Sequence, residues 1–153
     1  MYRFLELRAD QYMTRTVQTV RSSTSLRELD GLFRCHDFNA FPVVENAQLI
    51  GLVTKFDFLK AFVFTTSELV PRYDELMRKR VGEIMTKKVV PAEPHAPLTR
   101  VLQMMVDLKS KSFPVVAEGQ SLVGIIARED IMRALQDATC SPIALGARRE
   151  RHP

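Results

Sequence analysis

Two seven-residue stretches carry the side chains best placed for chemistry. GLVTKFD runs from Gly51 to Asp57, and GIIARED runs from Gly124 to Asp130. Each reads as the end of a strand, a turn position and the start of a helix, with an aspartate one turn in. A helix start presents free N–H groups and partial positive charge, which suits phosphate. The Thr54 hydroxyl adds a donor, and the Asp57 carboxylate can accept from vicinal hydroxyls such as those of a ribose. Read this way, the stretch is a nucleotide site. It also has a plainer reading, because Thr54-x-x-Asp57 has the form of a capping box that satisfies only its own helix end. In the second stretch Ala127 replaces the threonine and breaks the box. Asp130 remains there, where the helix dipole favours a carboxylate. At the level of residues both readings stay open.

Nothing elsewhere in the chain suggests catalysis. There is no nucleophile–base pair, metal cluster or glycine-rich phosphate loop. His36, His95 and His152 share no spacing, and His36 reads as a helix-flank residue. Cys35 and His36 are adjacent, so on a helix they point about 100° apart and would not share a metal. Cys35 and Cys140 are expected to be free thiols, as in a reducing compartment. We therefore expect no enzyme, metal or cofactor.

The net charge of +4 is concentrated in Arg78–Arg80, in Lys87 and Lys88, and in the closing ARRERHP. These read as solvated surface. No helix-turn-helix, zinc finger or interleaving of basic and aromatic residues supports a nucleic-acid partner. Apolar runs are far shorter than the ~20 residues of a membrane span. The opening MYRFLELRADQYM has no signal-peptide core. The expected setting is soluble and cytoplasmic.

What positions the two aspartates is a repeat that spans nearly the whole chain. Met13-Thr14 matches Met85-Thr86, Leu26 matches Leu98, and FPVV at 41–44 matches FPVV at 113–116, all at an offset of 72. From Gly51 and Gly124 onward the offset is 73, so one residue is inserted between them, at ENAQ against AEGQS. Each copy reads as β-α-β-β-α. A short strand at TVQTV (16–20) is followed by a helix capped from SSTS, with a stripe of Leu26, Leu29, Leu32 and Phe33. In the second copy the stripe is Leu98, Val101, Leu102, Met105 and Leu108. A hairpin follows, turning at Asn46-Ala47. The last helix begins at Thr54 and shows Phe56, Leu59 and Phe62; its twin shows Ile131, Ala134 and Leu135. The predicted class is α+β, two tandem repeats packed with pseudo-two-fold symmetry. The expected units are 8–64, a linker helix in 65–80, 81–138, and a loose basic tail over 139–153. A half of about 60 residues is marginal alone, so the copies should pack together and form related clefts.

With YMT and IMT openings, paired FPVV runs, and GLVTKFD and GIIARED in order, residues 8 to 137 resemble a tandem pair of CBS (cystathionine-β-synthase) domains, a Bateman module. The resemblance implies a regulatory module without catalysis. It would bind an adenosine-containing nucleotide (AMP, ADP, ATP or S-adenosylmethionine) between the repeats and act on a separate, unidentified protein. It implies one cleft with Thr54, Lys55 and Asp57, with Asn39 and Ala40, closed by Val89, Val90 and Ala96. The other would hold Asp130, with Lys111, Ser112 and Arg128, closed by Val17, Gln18 and Thr24. Apolar strand residues would flank the base, each aspartate would hold ribose, and Thr54, Lys55, Lys111 or Arg128 would face phosphate. Ala127 departs from the usual Ser/Thr, and Lys111 and Arg128 are expected to offset it, so that the second cleft leans on phosphate charge. A homodimer is expected from the crowded phenylalanines Phe56, Phe58, Phe62 and Phe64. The alternative is a dimerisation or interaction module with empty clefts.

Overall fold

The protein, seen in a computed structural model, is described over residues 2–63 and 72–140. Two short helices, α1 (Tyr2–Leu5) and α2 (Ala9–Tyr12), lead into α3 (Leu26–Cys35), the hairpin β1 (Ala40–Glu45) and β2 (Gln48–Thr54), and α4 (Lys55–Lys60). The second half repeats this order. Helices α5 (Tyr73–Arg78) and α6 (Val81–Ile84) precede α7 (Leu98–Leu108), the hairpin β3 (Ser112–Val116) and β4 (Leu122–Ala127), and α8 (Arg128–Thr139). Helix α5 falls where a linker helix was expected; the rest of that expectation over 64–71, like the basic tail over 141–153, lies outside the described residues. No described helix is long and apolar enough to cross a membrane.

Local chemistry explains most of these elements. Ser25 caps α3, its hydroxyl accepting from the Glu28 N–H while Glu28 accepts from the Ser25 N–H, both at 3.2 Å. The β1–β2 hairpin turns on Asn46 and Ala47, both in the left-handed region at φ 50° and 62°, as a two-residue hairpin loop requires. The extra residue of the second copy becomes a short 3-10 turn at Glu118–Gln120, with Gly119 at φ 71°.

The expected strand at 16–20 does not form. Val20 makes a single parallel bridge to Val43, donating to the Pro42 carbonyl at 3.0 Å and accepting from the Val44 N–H at 2.9 Å. The next rung would need an N–H from Pro42, which has none. Ala92 repeats the arrangement against Pro114 and Val116, at 2.9 and 3.0 Å. The proline of each FPVV run thus cuts the strand to one rung.

Helix faces differ from expectation on two helices, α4 and α7, while α8 buries the residues expected. On α4 it is Phe58, Ala61 and Phe62 that pack on the core, while Phe56 and Leu59 are exposed. The buried Asp57 sets this register. The same register on α8 buries Ile131 and Ala134 and packs Leu135. On α7 Leu98, Val101 and Met105 are buried, but Leu102 and Leu108 are exposed: Leu102, beside Val101, lies about 100° round the helix, and Leu108 is the last residue of α7.

The two cores do not follow chain order. Phe4, Ala9 and Met13 from the start of the chain join the core of the second copy, and Met77 and Val81 join that of the first. Backbone bonds fix the exchange. Ala9 donates to Ala96 (2.9 Å) and Leu98 to Leu7 (2.9 Å); Val81 donates to Thr24 (2.8 Å) and Leu26 to Lys79 (2.9 Å). Further along, Thr14 and Ile125 exchange both backbone bonds at 2.8 and 2.9 Å, as do Thr86 and Leu52. This approach needs glycine beside it: a Cβ on Gly124 would stand 2.7 Å from the Met13 sulfur and 2.9 Å from the Thr14 carbonyl oxygen.

Two stability outcomes follow. Gly124→Ala forces a backbone oxygen aside and should cost about 1–3 kcal/mol. Ala47→Gly relieves the left-handed alanine and should add up to about 1 kcal/mol, raising Tm by roughly 2–4 °C. Thermal unfolding followed by circular dichroism reads both.

Candidate functional site

A cleft of about 540 Å³ opens between the copies, within the range of small-molecule sites. The segment freed by the missing strand supplies one wall, with Thr14, Val17 and Gln18. The starts of β1 and β3 supply Asn39, Ala40 and Pro42, and Lys111 and Ser112. The floor and far wall are Ile125 and the start of α8, from Ala127 to Asp130.

Of the residues expected in this cleft, Val17, Gln18, Lys111, Ser112, Arg128 and Asp130 line it. Thr24 is not among the lining residues. Its hydroxyl accepts from the Arg21 N–H at 3.1 Å and its carbonyl from Val81, so it serves the docking of the exchanged helix. Ala96 is its counterpart on the other side, buried, with its carbonyl accepting from Ala9. Asn39 and Ala40, expected in the cleft of Asp57, line that of Asp130. They start β1 as Lys111 and Ser112 start β3, and both strand starts reach the one opening. Thr54, Lys55 and Asp57 of the first copy hold the pseudo-symmetric positions, with Val89, half-buried, and Val90, exposed, of the second. The Lys55 N–H bonds the Asn39 carbonyl at 2.9 Å, as the Arg128 N–H bonds that of Lys111 at 3.0 Å.

The aspartates are the two buried charged residues among those described. In Asp57 one oxygen accepts from both the N–H and the hydroxyl of Thr54, each at 3.0 Å. The other meets Lys60 Nζ at 2.8 Å. The Thr54 hydroxyl also accepts from the Asp57 N–H at 3.0 Å, completing a capping box. In Asp130 one oxygen accepts from the Ala127 N–H at 2.8 Å and the other meets Arg133 at 2.8 Å. Here only half the box exists, since Ala127 has no hydroxyl. Capping is therefore a real role of both residues. It leaves in each carboxylate one oxygen held only by a half-exposed cation, which hydroxyl groups of a ligand can displace.

Arg128 is placed differently from what the sequence suggested. Its Nε donates to Glu129 Oε1 at 2.8 Å, and that bond, chiefly, holds the Glu129 carboxyl below its ordinary range. The guanidinium is thus paired with an exposed carboxylate at the mouth of the cleft.

Sequence reasoning missed Asp37, Phe38 and Glu129, which also line the cleft. Phe38 lies parallel to the His36 ring at 5.3 Å and remains 44% exposed. Their signal was position alone: Asp37 and Phe38 directly precede Asn39, and Glu129 lies inside GIIARED.

A pair of β-β-α units with exchanged leading helices and ligand-sized space between them defines a two-repeat module. The chain belongs to the CBS domain family, which matches residues 9–64 and 81–137. It is 31% identical over 137 residues to the uncharacterized protein MJ0188 of Methanocaldococcus jannaschii, covering 88% of this chain and 46% of that one. The chain thus spans less than half of that relative. Among solved structures it is similar to the CBS domain pair of protein MJ0100 in complex with 5′-methylthioadenosine and S-adenosyl-L-methionine, with TM-score 0.71, 26% identity, and coverage of 86% of this chain and 98% of that one. It is also similar to the cytosolic domain of the Mg²⁺ channel MgtE in complex with ATP, with TM-score 0.68, 26% identity, and coverage of 84% and 48%.

The half-built box makes its own prediction. Ala127→Thr should complete the cap of α8 and add about 1 kcal/mol, whereas Thr54→Ala should remove about the same from α4. Urea unfolding, read as a change in midpoint at constant slope, measures both.

Proposed function

We propose that the chain is a non-catalytic regulatory module that binds an adenosine-containing ligand in its inter-repeat clefts and signals its presence to a separate protein. The observation that carries this reading is the buried Asp130 at the edge of a ligand-sized cleft, with one carboxylate oxygen held only by the half-exposed Arg133. In this reading that oxygen takes the ribose hydroxyls in place of Arg133, which keeps its bond to the Tyr12 carbonyl at 2.9 Å. Val17, Pro42 and Ile125 flank the base, and the Ala40 and Ser112 backbones read its edge. Asp57 does the same work in the related cleft, with Thr54 and Lys55 beside the ligand's polar end and Val89 and Val90 against the base. The adenosine ligands named for two of the similar structures support this choice of ligand.

The cleft walls come from both copies, so a bound ligand ties the copies together. At about 100 times its dissociation constant it adds about 2.7 kcal/mol of stability. A partner that senses the relative rigidity of the copies could be regulated in this way.

The module also works as a homodimer. The phenylalanines that first suggested this divide: Phe58 and Phe62 pack inward, Phe56 is exposed, and Phe64 lies outside the described residues. Further exposed apolar groups are Leu59 and Val63 after Asp57, Met132 on α8, and Leu102 and Val106 on α7. They also favour a second reading, a dimerisation or interaction module that acts with its clefts empty.

Calorimetric titration with AMP, ATP and S-adenosylmethionine tests the leading reading. Asp57→Ala and Asp130→Ala should each weaken one site by about 10- to 150-fold, the loss of a hydrogen bond from a charged group. Variants that melt earlier but bind as before would reduce both aspartates to helix caps. Light scattering at micromolar concentration should give twice the 17.5 kDa chain mass; a steady monomer rejects the dimer.

A further inference from the structure

The two copies share their backbone geometry but not their charge. Around the described cleft, Lys111 and Arg128 stand against Asp37, Glu129 and Asp130, two cations against three carboxylates, a formal charge of −1. At the pseudo-symmetric positions Asp37 becomes Lys109, Thr16 becomes Lys88, Glu129 becomes Phe56 and Arg128 becomes Lys55. Asn39 and Lys111, which both line the described cleft, exchange places under the same offset, so the repeat assigns Lys111 to the Asp57 side as well. By this correspondence the positions around Asp57 carry Lys55, Lys88, Lys109 and Lys111 against a single aspartate, four cations against one carboxylate, a formal charge of +3.

The pairing of these groups sharpens the contrast. Among the described residues none of the four lysines takes part in an ion pair; Lys55 lies over the Phe33 ring, 5.9 Å from its centroid. In the other cleft Arg128 is already held by Glu129. The N-terminal dipole of the twelve-residue α8 is met there by Asp130, which accepts from the Ala127 N–H. The exposed Phe38 ring also belongs to this cleft, and its counterpart in the other is Ser110. A cation flanked by Asp37 and Glu129 and facing an aromatic ring is well placed. A polyphosphate would meet three carboxylates instead.

We propose that the two clefts sort adenosine ligands by charge: the Asp130 cleft takes a form without phosphate, a neutral thioether or cationic sulfonium nucleoside, and the Asp57 cleft takes the polyphosphate form. The proposal rests on the adenosine reading above. It makes the module a comparator of two pools rather than a sensor of one.

The test is calorimetric titration of the full chain at low ionic strength with ATP, 5′-methylthioadenosine and S-adenosylmethionine. ATP should bind once per chain, and the two sulfur-containing nucleosides should bind the ATP-saturated chain as well as the free one. Lys109→Glu should weaken ATP on the order of tenfold and leave the thioether nucleoside unchanged, the size expected for one charge a few ångströms away in a wet cleft. Glu129 is exposed, so Glu129→Lys should fold normally, admit a second ATP and weaken S-adenosylmethionine on the order of tenfold. Competition of ATP with 5′-methylthioadenosine for one site overturns the proposal. So do two equal ATP sites in the unaltered chain, or ATP stoichiometry unchanged by Glu129→Lys. If no adenosine compound binds at all, the adenosine reading fails and this proposal falls with it; binding with the wrong sorting defeats this proposal alone.

Discussion

The structure depends on two places where one copy lays its backbone against the other. Thr14 pairs with Ile125 and Thr86 with Leu52, each through two backbone hydrogen bonds. Each pair forms beside a glycine, because any side chain on Gly51 or Gly124 would occupy the space of a methionine sulfur and a carbonyl oxygen. The contact is between main chains, so it is rigid and tolerates changes in side chains. It holds each leading segment over the opposite copy, and the exchange of Phe4, Ala9 and Met13 for Met77 and Val81 follows from it. Neither copy has a complete core of its own, which suits units of a size that is marginal alone.

The same constraint creates the binding space. A leading segment held at Thr14 and again at Val20 must pass over the gap between the hairpins. It cannot close that gap as a strand, because Pro42 offers no N–H for a further rung. Thr16, Val17 and Gln18 therefore stay free of the sheet and become a wall. The proline that looks like a packing residue in FPVV is, through its missing donor, what keeps the cleft open.

The aspartates show how a structural role and the proposed binding role share one group. Each carboxylate gives one oxygen to its helix end and the other to a half-exposed cation on the same helix, Lys60 or Arg133. The first bond positions the group and the second shields its charge. Duplication kept this arrangement in both copies. It did not keep the surroundings, where acids and an aromatic ring in one copy face lysines and a serine in the other. The backbone of the module is thus nearly symmetric, and its electrostatics are not.

Much of this was legible in the residues. The offset of 72, then 73, located both copies, both hairpins and the inserted residue, because periodicity and turn chemistry are local. The Ser25 cap, the left-handed Asn46-Ala47 turn and the importance of Asp57 and Asp130 could all be read directly. The sequence could not say which helix start packs on which core, since exchanged and unexchanged leaders have the same local pattern. Nor could it assign Asn39 and Ala40 to a cleft, or turn α4 so that Phe58 rather than Phe56 faces inward. Those outcomes come from tertiary contacts, across the copies for the leaders and the strand starts, and with the core of its own copy for α4. Only the fold, by bringing Glu129 onto Arg128 and Phe38 to the rim, decided which charges the cleft of Asp130 presents.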